Sequence, residues 1–138
     1  MDRQSLKIDF ETALAAFGTS QSPAGFLAFI DEDALIIDED NPFIQDKKAF
    51  AANLAFHLGG QWEKLALRAW NAAFQVIGET GVVTSYFTLR GKPKDAGFRQ
   101  RHGVMSLVCH FDTRSGHWHA GAMHLSPLLS HIHHASPG

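Results

Sequence analysis

Residues 102–128 read HGVMSLVCHFDTRSGHWHAGAMHLSPL. Two apolar-rich runs flank DTRSG at 112–116, where Asp, Ser and Gly are turn formers, and the second run closes on HLS at 124–126. Runs of β-branched and aromatic residues bounded by such turns make an antiparallel hairpin. His117 and His119 stand two apart in it, so a strand points both to one face.

Working toward the N-terminus, the same grammar repeats. GVVTSYFTLRG at 81–91 and WEKLALRAWNAAFQVIG at 62–78 read as long strands, with GETG and RGKPKDAG as the turns between runs. Before residue 60 the period changes. Leu6, Phe10, Ala13, Leu14 and Phe17 recur at three and four, and Gly18 supplies a stop. SPAGFLAFI at 22–30 offers Ser22 as an N-cap and Pro23 at the first helical position, where its missing N–H costs nothing. A third helix is expected from Asp46 as cap to about Leu58, burying Phe50, Leu54 and Leu58 and ending at Gly59-Gly60. ALII at 34–37 is too short for a helix and is rich in β-formers. Helices first and a long meander afterwards predict an α+β domain with helices covering one sheet face.

The chain has 138 residues, and no linker divides it. A single domain is expected over 1–129, with 130–138 (SHIHHASPG) as a flexible tail. The net charge of -2 gives no electrostatic reason to expect nucleic acid or an anionic membrane as partner. No apolar run approaches a bilayer's thickness, and the first residues carry charges within their apolar pattern, unlike a secretory signal. A lone cysteine, Cys109, suits a reducing cytoplasm.

The order of these pieces, with GVVTSYFTLRG and the hairpin quoted above, resembles the nuclear-transport-factor-2-like superfamily from about Phe10 to Leu128. Within it the nearest likeness is to the SnoaL-like and ketosteroid-isomerase-related group. The resemblance implies a strongly curved, mainly antiparallel sheet wrapped by N-terminal helices into a cone around an apolar pocket. It also implies pairing of two copies through the outer sheet face. On the implied register, His119, Gly121 and Met123 face inward, while Trp118, His124, Val104 and Val108 face outward.

Asp38 is the first chemical candidate. In ketosteroid-isomerase relatives the base follows a short first strand, and ALIID at 34–38 looks like that segment. A partly desolvated carboxylate beside an acidic C–H is chemically sound there; the alternative is that Asp38, Glu39 and Asp40 simply solvate a strand end. The partners of steroid isomerisation are absent. The tyrosine's place falls near Leu14, the acid's near Leu107, and the lone tyrosine is Tyr86 on another strand. An imidazole from the last strand, His119, could complete an acid–base dyad with Asp38. His117 and His119 could instead chelate a metal with His57, but two ligands two apart are a weak signal, and neither a metal nor a cofactor is expected. Asp31, Glu32 and Asp33 read as the solvated exit of the second helix.

Arg99 and Arg101 could hold a carboxylate or carbonyl at the pocket mouth, or lie over apolar neighbours on a strand rim. Expected contacts to ligand are Phe50, Leu54, His57, Trp62, Phe87, Arg99, Arg101, Met105 and Met123. Phe26, Phe29, Phe43, Phe56, Trp70 and Phe74 are further candidates for the pocket wall. Taken together, the sequence points to a protein that binds a small hydrophobic or ring molecule. It would act on it by cofactor-independent isomerase, cyclase or dehydratase chemistry, or serve as a non-catalytic binding or dimerisation module.

Overall fold

A computed structural model describes residues 2–19, 23–38, 43–56, 62–93, 97 and 99–127. The elements run α1 (Arg3–Thr19), α2 (Ala24–Phe29), β1 (Ile30–Asp38), α3 (Lys47–Phe56), β2 (Trp62–Ile77), β3 (Thr80–Pro93), β4 (Arg99–Asp112) and β5 (His117–Pro127). The expected division into helices followed by a meander is present. One strand, β1, precedes α3 and starts directly where α2 stops. The first acidic run is therefore strand rather than solvated helix exit, a correction that matters for Asp31 below.

Helix α1 begins with a reciprocal cap. Ser5 N–H donates to Asp2 Oδ1 at 2.8 Å, and Asp2 N–H donates to Ser5 Oγ at 3.0 Å. Two of the orphan donors of the first turn are thus satisfied. The expected stripe Leu6, Phe10, Ala13, Leu14 and Phe17 is buried throughout. Asp46 caps α3 by accepting from Ala49 N–H at 2.8 Å, as the sequence suggests, and Phe50 is buried. The expected Ser22 cap and the end of α3 at Leu58 and Gly59-Gly60 lie outside the described residues, as does the tail at 130–138.

The five strands form one open sheet in the order β1-β5-β4-β3-β2. β2 to β5 are antiparallel neighbours, and β1 joins parallel to β5 with Ile36 beside Met123 and Asp38 beside Leu125. The helix-covered face carries Ile36, Trp118, Ala120, Met123, Met105, Leu107, Cys109, Val83, Phe87 and Leu67, all buried. Phe10 meets Phe74 edge-on at 5.7 Å, and Phe26 meets Phe50 at 6.4 Å, which ties α1, α2 and α3 to one core.

The register shifts at several places in the sheet, and two of these bulges bear on the site. Between Trp70 and Ala73 the β2–β3 register shifts, and Asn71 takes φ 51°. The ladder is broken there, and Ser85 Oγ–H, shared with its neighbour's carbonyl, reaches the Trp70 carbonyl at 3.1 Å. The second bulge separates Val108 from Cys109 opposite Ala122 and Ala120. An extra residue in one strand inverts the phase of everything beyond it.

Candidate functional site

The β5 bulge decides which histidine can meet Asp38. Met123 and Leu125 face the helices as expected, but before the bulge the phase flips. Trp118 is fully buried on the helix side, packed over Gly81 with Leu6 and edge-on to Phe111. His119 therefore occupies the opposite face, directly across from His110. This corrects the expected register, in which His119 faced inward and Trp118 outward. Strict alternation failed because Gly121 sits at the bulge. Asp38 and His119 do not share a face, so the expected dyad is not assembled.

On the outer face His119 belongs to another group. His110 Nε2 lies 2.5 Å from Asp31 Oδ2, a charge-assisted contact when the ring is protonated. His119 Nε2 is 3.4 Å from Ser115 Oγ and 4.0 Å from Asp112 Oδ2. Asp112 is held below the usual carboxylate range, chiefly by the main-chain N–H of Arg114. His117 Nδ1 instead pairs with Asp9 of α1 at 3.1 Å. Among the described residues no group of three or more His, Cys, Asp or Glu side chains could hold a metal ion; His57 lies outside them. The Asp31–His110 contact was hidden in the sequence by the acidic run around it.

Asp38 ends β1 half-buried, in phase with Ala34 and Ile36 and beside Leu125. Phe50, Phe87, Met105 and Met123, four of the expected ligand contacts, are buried on the same side of the sheet. Positions 99 and 101 continue the phase of Gly103 and Met105, pairing with Gly91 and Leu89. The side chains of Leu54, Trp62, Arg99 and Arg101 lie outside the described ones. Two expected wall residues are elsewhere. Phe43 is 74% exposed, and Trp70 is on the outer face, stacked on Tyr86 at 4.8 Å. Trp70 also borders an open groove of about 920 Å³ between α1 and β2, at the sheet edge opposite β1.

Sequence reasoning missed Gln45. Its main chain forms a closely spaced pair with Ile36: Ile36 N–H to Gln45 O at 2.9 Å and Gln45 N–H to Ile36 O at 2.8 Å. Paired residues of that kind send their side chains to one face, so Gln45 joins Ile36 on the helix side, where it is 5% exposed. Nothing in NPFIQDKK marks a buried amide; a lone Gln before a helix reads as solvent-facing.

No protein-family model matches the chain, and no curated protein matches it. Solved structures match its shape. A nuclear transport factor 2-like superfamily protein from Salmonella enterica serovar Typhimurium superposes with a TM-score of 0.77 at 15% identity, covering 93% of this chain and 92% of its own. A ketosteroid isomerase-like protein from Erwinia carotovora atroseptica gives 0.72 at 12% identity, over 92% and 96%. The S. rosetta CaMKII hub gives 0.74 at 16%, over 93% and 98%. Among the described residues no helix is long and apolar enough to cross a membrane. What these structures share with the chain is architecture, and the chain has the α+β, cystatin-like fold of the nuclear-transport-factor-2-like proteins.

Proposed function

We propose that the protein binds a small, mostly apolar ring molecule between its helices and the covered face of the sheet, and that Asp38 moves a proton on it. The observation that carries this reading is the position of Asp38. Among the strand side chains that are described and in phase with the covered face, it is the one half-buried carboxylate, set beside Leu125 and two residues beyond buried Ile36. A carboxylate at the rim of a covered apolar face can reach a C–H of a molecule lying there, which is the first requirement of a general base. Isomerisation, cyclisation and dehydration next to a carbonyl all need such a group, and none requires a cofactor. The cytoplasm is the proposed compartment, in keeping with the single buried thiol.

Ligand binding is tested by titrating the labelled protein with tetralin and tetralone and following amide and methyl shifts. Saturable shifts centred on Ile36, Met105, Met123 and Phe87 are expected. Shifts confined to the outer face, or none, overturn the reading.

A second reading rests on a different observation. The outer face exposes Trp70, Tyr86 and Val108, with Leu35 and Ile37 on its β1 edge, each at least 40% exposed. Side chains of this kind on one face suit a second copy of the chain. Sedimentation should then give a dimer that Val108→Glu dissociates without loss of helical signal; a wild-type monomer contradicts pairing.

A further inference from the structure

Gln45 Nε2 is a buried donor with no hydrogen-bond partner in the structure. The rest of the residue is fully engaged. Its main chain is locked to Ile36, and its Oε1 accepts from Asn53 Nδ2 of α3 at 2.7 Å. In the structure that bond sets the amide oxygen toward Asn53 and leaves the N–H₂ turned away from it. Leaving an amide donor buried and unmade costs about 1–3 kcal/mol, and such groups are rare in folded proteins. The bond to Asn53 uses only the amide oxygen, so the nitrogen is left for a partner that the free protein does not supply.

Its location supplies one. Gln45 and Asp38 both extend from Ile36: Gln45 as its cross-strand partner, Asp38 two residues along the same face. A ring molecule lying on this end of the covered face would meet a carboxylate and an amide N–H together. A proton-abstracting base needs an acidic C–H, and a C–H is acidic when a carbonyl stands beside it. The carbonyl oxygen gains negative charge as the proton leaves, and a fixed donor aimed at that oxygen stabilises the charge. On the resemblance given above, the places of the residues that supply this in steroid isomerisation fall near Leu14 and Leu107, both buried and apolar.

We infer that Gln45 Nε2 donates to the carbonyl oxygen of the bound molecule, which makes the ligand class apolar ring ketones, aldehydes or their enols rather than hydrocarbons or alcohols. This rests on the ligand site proposed above. In the step itself, Asp38 takes the proton from the carbon beside the carbonyl and the electron pair moves onto the oxygen. The same proton, now on Asp38, is returned to carbon or to the oxygen, so the reaction is redox-neutral and needs no second reactant. Asn53 is a positioning residue, holding the amide in the donor orientation.

The matched pair tetralone and tetralin differ only in the carbonyl, and calorimetric affinities for both test the inference. Wild type should bind tetralone about tenfold more tightly, the scale of one well-made hydrogen bond. Gln45→Leu should lose that preference through tetralone alone, with tetralin affinity unchanged and a melting temperature equal to or above wild type. Gln45→Met, which keeps the length and removes the donor, repeats the test should the leucine variant fold poorly. A tetralone preference that survives in either folded variant overturns the inference while leaving the ligand site standing. An equal loss of both ligands shows a packing role only and also overturns it. Failure of wild type to bind either compound overturns the site and the donor together.

Discussion

Trp118 Nε1–H donates to Ser5 Oγ at 3.0 Å, joining the last strand to the first turn of the first helix across 113 residues of chain. Ser5 Oγ also accepts from Asp2 N–H and donates to Asp2 O at 2.8 Å, so one hydroxyl uses its full capacity. The neighbouring carboxylate reinforces the joint, since Trp118 N–H donates to Asp9 Oδ2 at 2.8 Å. α1 is thus held on the sheet by polar contacts at its start and by its apolar stripe beyond.

Ser5→Ala should destabilise the protein by about 1–3 kcal/mol, because a buried indole N–H loses its acceptor and the helix loses half its cap. Calorimetric melting checks this. Ser5→Thr, which keeps the hydroxyl, should recover most of the loss.

Gly103 faces the helices with no room for a side chain. A Cβ there would collide with the Phe87 ring and lie 2.7 Å from the Ser126 carbonyl, which is backbone and cannot swing away. Gly103→Ala should cost about 1–3 kcal/mol, the usual penalty of overpacking. Gly97, with nothing within 4 Å of its would-be Cβ, is the control. Denaturant unfolding of both variants should separate them clearly.

Cys109 is buried, and desolvation first, with the Asp31 charge second, pushes its thiol up to about 12. A folded-state value above the unfolded one favours folding at every pH below the unfolded thiol's. That contribution declines as pH rises from the ordinary thiol range toward about 12. At mildly alkaline pH the native thiol should react with iodoacetamide only at the rate of unfolding, and Cys109→Ser should flatten the alkaline fall in stability. Rapid labelling of the folded protein would contradict this burial.

Much of this architecture could be read from the chain. The turn residues at 78–81 and 112–116 and the helical stripe from Leu6 to Phe17 carry local signals strong enough to fix elements and hairpins. Three things were not legible. The partner of β1 is β5, with Ile36 paired to Met123, 87 residues later, and pairing that distant leaves no mark on either strand's own pattern. The bulge at Gly121 is the second. A glycine in a strand hints at a bulge, but one residue's slip was enough to exchange Trp118 and His119 between faces. Asp38 escaped because it lies on β1, away from any slip of β5 and after the irregularity within its own strand. Gln45 is buried only because α3 folds back over β1, a tertiary event with no signature in its neighbours.

The most direct test of the central claim, a base at Asp38 acting on a carbonyl compound, is hydrogen–deuterium exchange at the carbon beside the carbonyl of tetralone. Proton NMR in deuterated buffer at neutral pH follows it. Wild type should exchange this position at least about 100-fold faster than equimolar acetate, within the range of general-base catalysis. Asp38→Asn should abolish the enhancement and His119→Ala should retain it, since His119 lies on the far face. Exchange no faster than acetate, or equal exchange by the Asp38→Asn variant, would contradict the claim.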